Sequence, residues 1–394
     1  MSIAVKIRDY MERASWIRKM FEQGIELKNK LGPDKVFDFS LGNPNLEPPD
    51  EVPKAILDIM ADKRPGKHAY MPNAGLKETR ESVAAFLSKE HGLALSGEQV
   101  IMTCGAGGGL NVALKTVLDP GDEVLVLSPY FVEYFFYIDN HNGNGKLVKT
   151  KEDFTLDVKA IEAAITSKTK AIIINSPNNP SGRIYDETGL RNLGKLFETI
   201  KQKNNQTIYL LADEPYSQII YDEARVPSVF KVYANSMIIT SYSKDLSLPG
   251  ERIGYVAVNP KMENWRQIVD GLTFCNRILG FVNAPALMQR ILPRLQGVRV
   301  NVQEYQKKRD SLCRDLASAG YSFIKPEGAF YLFPQSPVPD DVLFVNTLLQ
   351  ENILAVPGTG FGTPGYFRLA YCVEDRVIEG AMEGFRRAIR KFSR

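Results

Sequence analysis

A chain of 394 residues exceeds the size at which one hydrophobic core keeps growing, so two domains of unequal size are expected. Lysine and arginine number 49 against 46 aspartates and glutamates, a formal charge of +3, and that balance argues against nucleic acid as a main partner. Four scattered cysteines and three histidines give no metal-ligand spacing, and the N-terminus mixes charges into its apolar positions. No run approaches the roughly 18 uncharged apolar residues of a spanning helix, so a cytoplasmic protein with no metal and no membrane partner is expected.

In chain order, residues 40–50 (SLGNPNLEPPD) have the Gly, Pro and Asn content of a connecting loop. QVIMTC (99–104) reads as a strand and runs into a Gly-rich helix start, GAGGGLNVALKTVL. Further strands are predicted at DEVLVLSP (122–129), KAIIINSP (170–177), TIYLLADEP (207–215), SMIITSYS (236–243) and IGYVAVNP (253–260). Most are continuous apolar runs, as in strands covered on both faces, and helix-length segments such as 188–204 separate several of them. The pattern predicts a three-layer α/β/α unit with a mostly parallel sheet.

The tail changes rhythm. A helix over 298–319 leads into short strands YSFI, AFYLF, ILAV and YFRLAY around a helical DDVLFVNTLLQ. Val377, Ile378, Met382, Phe385, Ala388, Ile389 and Phe392 recur at helical spacing as a closing helix. The expected division is a large domain over 45–289 and a smaller α+β domain made of 1–44 with 290–394.

Ligands of an open α/β sheet collect beyond the carboxyl ends of its strands, and four suggestive segments fall there. CGAGGGL opens a helix whose free N–H groups suit a phosphate, although it is neither GxGxxG nor GxxxxGK[ST]. NSPNNPSG (175–182) is a turn-former by composition. ADEPY (212–216) places Asp213 at the end of an apolar run, where a carboxylate needs solvent or a cationic partner. In IITSYSKDLSLPGERIGYV (238–256), Lys244 follows Ser241 and Ser243 and precedes Arg252; by residue type alone it is a solvated turn lysine. Lysine forms imines, serine and arginine hold phosphate, and aspartate pairs with a protonated heterocyclic nitrogen. Together they suggest one cofactor bearing a phosphate, an aldehyde and a pyridine nitrogen.

LGNPNLEPP, YMPNAGLKETRESVA, TCGAGGGL, SPYFVEY, NSPNNPSG, DEPY, SYSKDLSLPGERIGY, PEGAFYLF, VPGTGFG and FRLAYC occur in this order along nearly the whole chain. This succession resembles the class I and II aminotransferases, pyridoxal 5'-phosphate enzymes of fold type I. The resemblance implies that Lys244 carries the cofactor as an imine and shuttles the substrate proton. It implies that Asp213 faces the pyridine nitrogen, that Tyr216 and Asn179 face the ring oxygen, and that Phe131 lies against the ring. The phosphate cup would comprise Gly105, Ala106 and Gly107 with Ser241, Ser243 and Arg252. Tyr70 would reach the phosphate of a neighbouring subunit, implying a homodimer. Arg368 would grip the substrate carboxylate, assisted by Asn179 and backbone near Gly42.

The implied activity moves an amino group from an L-amino acid to a 2-oxo acid by a ping-pong route, with an aspartate-like or broad donor and 2-oxoglutarate as acceptor. A β-lyase, decarboxylase or synthase on the same scaffold is the alternative. In one departure, Gly and Ala stand in the phosphate loop where many relatives have Ser or Thr. Arg13, Arg18 and Lys19 are basic candidates for an acidic substrate side chain, and equally plain surface charge.

Overall fold

The computed structural model describes residues 3–13 and 15–392, and the side chains of these outside 12–21, so the side chains of Arg13, Arg18 and Lys19 fall outside the described set. A seven-stranded sheet organises the chain. In spatial order its strands are Val100–Thr103, Gly254–Val258, Ser236–Ser241, Tyr209–Asp213, Thr169–Asn175, Glu123–Ser128 and Asn144–Lys149. Gly254–Val258 runs antiparallel to both neighbours, and the five strands from Ser236–Ser241 onward pair in parallel.

Side chains alternate across a sheet, and here both faces are covered. Leu125, Leu127, Ile172, Ile174, Leu210 and Ala212 enter one buried cluster, with Leu190, Leu193 and Phe197 of helix Glu187–Asn204. Val124, Val126, Ala171, Ile173 and Leu211 enter another, with Leu110, Val112 and Leu114 of helix Gly105–Val117. Two oppositely covered faces are the reason these strands lack a polar alternation in the sequence.

Each expected strand between 99 and 260 is present. The edge strand Asn144–Lys149 was not anticipated: NGKLVK has one buried residue, Val148, and its lysines and glycine suit an edge that must not recruit further strands. The helix over 298–319 is Val302–Ser318, DDVLFVNTLLQ contains Asp341–Gln350, and the closing helix is Asp375–Arg390. AFYLF, ILAV and YFRLAY yield the two-residue to four-residue strands Tyr331–Leu332, Ile353–Leu354, Val356–Pro357 and Phe367–Ala370. YSFI is not a strand. Its Tyr321 is buried with its hydroxyl on the Phe385 carbonyl, so the apolar pattern there serves side-chain packing without a ladder.

A third cluster gathers Phe39, Tyr305, Leu312, Phe344, Phe367 and Phe385, and core membership changes between Leu295 and Val300. Tyr216, Ile219 and Tyr221, which follow the strand ending at Asp213, also belong to this cluster. Fully buried Arg309 reinforces the junction. It pairs with Asp222 at 2.7 Å, donates to the Pro326 carbonyl at 2.9 Å and lies over the Tyr221 ring. A buried guanidinium so fully partnered avoids the penalty of an uncompensated charge.

Candidate active site

Parallel pairing sets Asn175 opposite Asp213, and Asp213 opposite Ile239, along the rim formed by the carboxyl ends of the central strands. The segments leaving that rim wall a cavity of about 660 Å³. Of the residues singled out in the sequence, Gly42, Ala106, Gly107, Phe131, Asn179, Asp213, Tyr216, Ser241, Ser243, Lys244, Arg252 and Arg368 line it. Gly105 stands behind this wall at the head of its helix. Tyr70 is 89% exposed and lines no part of this chain's cavity.

Asp213 is 4% exposed. Its Oδ2 accepts a 2.5 Å hydrogen bond from the Tyr134 hydroxyl, while its Oδ1, equally shut off from solvent, has no partner. Burial pushes the carboxyl up to about 7, with Tyr134 pulling the other way. An acceptor in that state calls for a donor carrying positive charge from the cavity side. The Asn175 amide steadies the strand end by donating to the Asp213 carbonyl at 2.8 Å, and its oxygen accepts from the Asn179 N–H at 2.7 Å.

Lys244 follows the neighbouring strand. Its ammonium donates to the Gly42 carbonyl at 2.9 Å and lies 5.4 Å from the Phe330 ring centre. Burial brings its pKa down to about 8, with Arg368 and Arg252 adding in the same direction. Much of this amine is therefore neutral, and nucleophilic, at mildly alkaline pH. Cyanate labelling of the ligand-free protein, quantified at Lys244 by peptide mass spectrometry, is expected to rise with pH through a midpoint near 8. A midpoint at the ordinary lysine value of about 10.4 would show that the amine is not desolvated.

Arg368 is 3% exposed and meets no carboxylate among the described residues. It donates to Asn179 Oδ1 at 3.1 Å and to the Ser40 carbonyl at 2.5 Å, leaves Nε without a partner, and stacks near Tyr331 and Phe361. A buried guanidinium without a counter-ion is costly, and an incoming carboxylate would relieve that cost. The Tyr216 hydroxyl meets that of Tyr331 at 2.9 Å. A Cβ on Gly42 would overlap the Tyr331 hydroxyl, so glycine is required for this close approach.

At the opposite end of the cavity, Gly105 takes φ +69°, and a Cβ there would lie 2.7 Å from the Arg252 guanidinium. Helix Gly105–Val117 thus presents its amino end beside an arginine, an arrangement suited to a phosphate. Tyr134, Asn175, Tyr331, Tyr137 and Ser40 were missed by the sequence reading. Tyr134, Asn175, Tyr331 and Ser40 lie inside quoted segments and Tyr137 three residues past SPYFVEY, but nothing local marks which side chains turn toward the cavity.

Residues 34–385 match the family described as aminotransferase class I and II. A probable aspartate aminotransferase of Methanocaldococcus jannaschii is 31% identical, over 89% of this chain and 93% of that protein. The crystal structure of an aminotransferase from Eubacterium rectale covers 100% of both chains, with a TM-score of 0.97 and 35% identity. An aspartate aminotransferase from Thermus thermophilus, solved with maleate, gives 0.85 at 29% identity over 95% of this chain and 96% of its own. The fold is that of the type I pyridoxal phosphate enzymes. This chain belongs to the class I and II aminotransferases, and it is an amino acid aminotransferase. Among the described residues no helix is long and apolar enough to cross a membrane, and no cluster of His, Cys, Asp and Glu could hold a metal ion.

Proposed function

We propose that the cavity binds pyridoxal 5'-phosphate and transfers the amino group of an L-amino acid to a 2-oxo acid in two half-reactions. The observation that carries this reading is the unpartnered Asp213 Oδ1, buried in the cavity that also holds the desolvated amine of Lys244 and the unneutralised guanidinium of Arg368. The residues fit the group. Asp213 would receive the pyridine N–H, and Phe131 would cover the ring. Tyr216 and Asn179 would bond the ring oxygen, and the amino end of Gly105–Val117 with Ser241, Ser243 and Arg252 would take the phosphate. Bound there, the cofactor supplies a carbonyl that condenses with amines and a ring that withdraws electrons from the substrate Cα.

The rest is the work of this chain's side chains. Arg368 holds the substrate carboxylate in a planar fork, with Asn179 fixing the fork's orientation at 3.1 Å. Lys244, neutral once burial has lowered its pKa, takes the proton from Cα and later returns one. Asp213 keeps the proton on the pyridine nitrogen, because a neighbouring negative charge favours the cationic form. Tyr216 and Tyr331, both members of the third core cluster, form part of the cavity wall, where their rings would limit water around the reacting atoms.

Aspartate, the substrate in the names of the relatives, is the proposed donor, and 2-oxoglutarate the acceptor. The division into domains 45–289 and 1–44 with 290–394, a cytoplasmic location and a homodimer belong to the same reading. Tyr70 at 89% and Leu57 at 69% exposure support the dimer, as side chains that a second subunit would cover.

The test is a spectroscopic screen of the purified holoenzyme against the common amino acids. The expected result is conversion of the bound aldehyde form to the amine form with release of the matching 2-oxo acid. Ammonia or carbon dioxide as product would instead assign a lyase or a decarboxylase. Arg368→Lys keeps the charge and loses the fork. It is expected to raise KM for the amino acid roughly 10-fold to 100-fold, the worth of one or two charge-assisted hydrogen bonds. An unchanged KM would remove Arg368 from the carboxylate site.

A further inference from the structure

The turn Gly105, Ala106, Gly107 offers a phosphate its backbone N–H groups and no side-chain hydroxyl. The fold brings one from elsewhere. Tyr137, on the short helix Tyr134–Asp139, lines the same cavity, and its hydroxyl has no hydrogen-bond partner among the described residues. A Cβ built on Gly107 would lie 3.0 Å from that hydroxyl oxygen and 3.7 Å from the ring carbon that carries it. The tyrosine oxygen therefore packs tightly against the point where the side chain of a serine or threonine at 107 would begin. Arg252 closes on the same turn two residues earlier, 2.7 Å from where a Cβ of Gly105 would stand, so the guanidinium and the hydroxyl border one turn. Burial and the nearby Glu133 push the phenol up to about 12, so near neutral pH it retains its proton and can donate.

We propose that Tyr137 supplies the side-chain hydroxyl of the phosphate cup, donating to a phosphate oxygen of the cofactor in place of the serine or threonine that Gly107 excludes. This rests on the reading of the cavity as a pyridoxal 5'-phosphate site. It also accounts for the glycine. A side chain at 107 and the hydroxyl at 137 crowd each other, and the chain has kept the hydroxyl that arrives from the neighbouring helix.

The experiment measures dissociation constants for pyridoxal 5'-phosphate and for pyridoxal, which lacks the phosphate, by fluorescence titration of the ligand-free protein. Tyr137→Phe is expected to weaken the phosphorylated ligand about 10-fold or more, the loss of a hydrogen bond to a charged group, and to leave pyridoxal unchanged. Gly107→Ser alone is expected to weaken the phosphorylated ligand, because its Cβ presses on the tyrosine oxygen. In the Tyr137→Phe background that Cβ meets the ring at an ordinary 3.7 Å, and the serine hydroxyl is expected to restore affinity. Equal weakening of both ligands by Tyr137→Phe, or no weakening of either, would overturn the proposal. Failure of the wild-type protein to bind either ligand would instead overturn the cofactor reading beneath it.

Discussion

Lys244→Ala is expected to abolish transamination, with turnover lower by about 10⁴-fold or more. General acid–base catalysis alone is worth about 10² to 10⁴, and the same amine is also the proposed point of covalent attachment. The amine lies on the cavity wall against the Gly42 carbonyl, and among the described residues no second lysine lines the cavity. Borohydride treatment of the wild-type holoenzyme, followed by peptide mapping, is expected to fix the reduced cofactor to Lys244, and to fix none to the variant. Lost chemistry can be told from lost folding through pH. Because the folded-state pKa is lowered to about 8, below the 10.5 of a free lysine, burying the charged amine costs stability fully below pH 8 and not at all above about 10.5. Without that cost, the ligand-free variant should melt no lower than the wild type at pH 7. A variant whose turnover stays within tenfold of the wild type would end the assignment of this lysine.

The second large effect is expected at Asp213. Asp213→Asn keeps the shape and still accepts from Tyr134, but it places no charge beside the pyridine nitrogen. Removing one partner of a buried ion pair costs about 3 to 5 kcal/mol, which puts the fall in turnover between roughly 10² and 5 × 10³-fold. The ligand-free protein should respond in the opposite sense. Here the folded-state pKa is raised to about 7 from an unfolded value of about 3.9, so the buried carboxylate costs stability above pH 7 and nothing below about pH 4. Asp213→Asn is therefore expected to raise the melting temperature of the ligand-free protein at pH 8, to leave it unchanged near pH 4, and to weaken cofactor binding. Wild-type turnover in the variant, or a lower melting temperature at pH 8, would show that Asp213 is held for a different reason. A destabilising carboxylate kept in the apo state is the stored cost of a site made for a cation.

Legibility along the chain followed the range of the interactions involved. The strand Thr169–Asn175 was readable because IIIN declares itself within a few residues, whereas Asn144–Lys149 was not, since NGKLVK becomes a strand only through its pairing with Glu123–Ser128. YSFI showed the reverse: an apolar run that finds no strand to pair with. At the site, Lys244 was a turn lysine by type, and the ordered motifs around it gave it chemistry. Tyr134 lay inside a quoted motif, yet nothing near it in the chain announces a bond to a carboxylate 79 positions away. Arg368 reaches Asn179 across 189 positions and Ser40 across 328.

The amino-acid sequence by itself determined the alternation of apolar runs and helical stripes, the covered sheet and the family, because periodicity, turn chemistry and motif order are carried by neighbours within a few residues. Tertiary structure alone decided which oxygen of Asp213 is left unpaired, how far the Lys244 amine is desolvated, and which tyrosine packs against Gly107. Those properties arise from the low-dielectric interior that distant segments build together, and burial has no local signature that a chain could display before it folds.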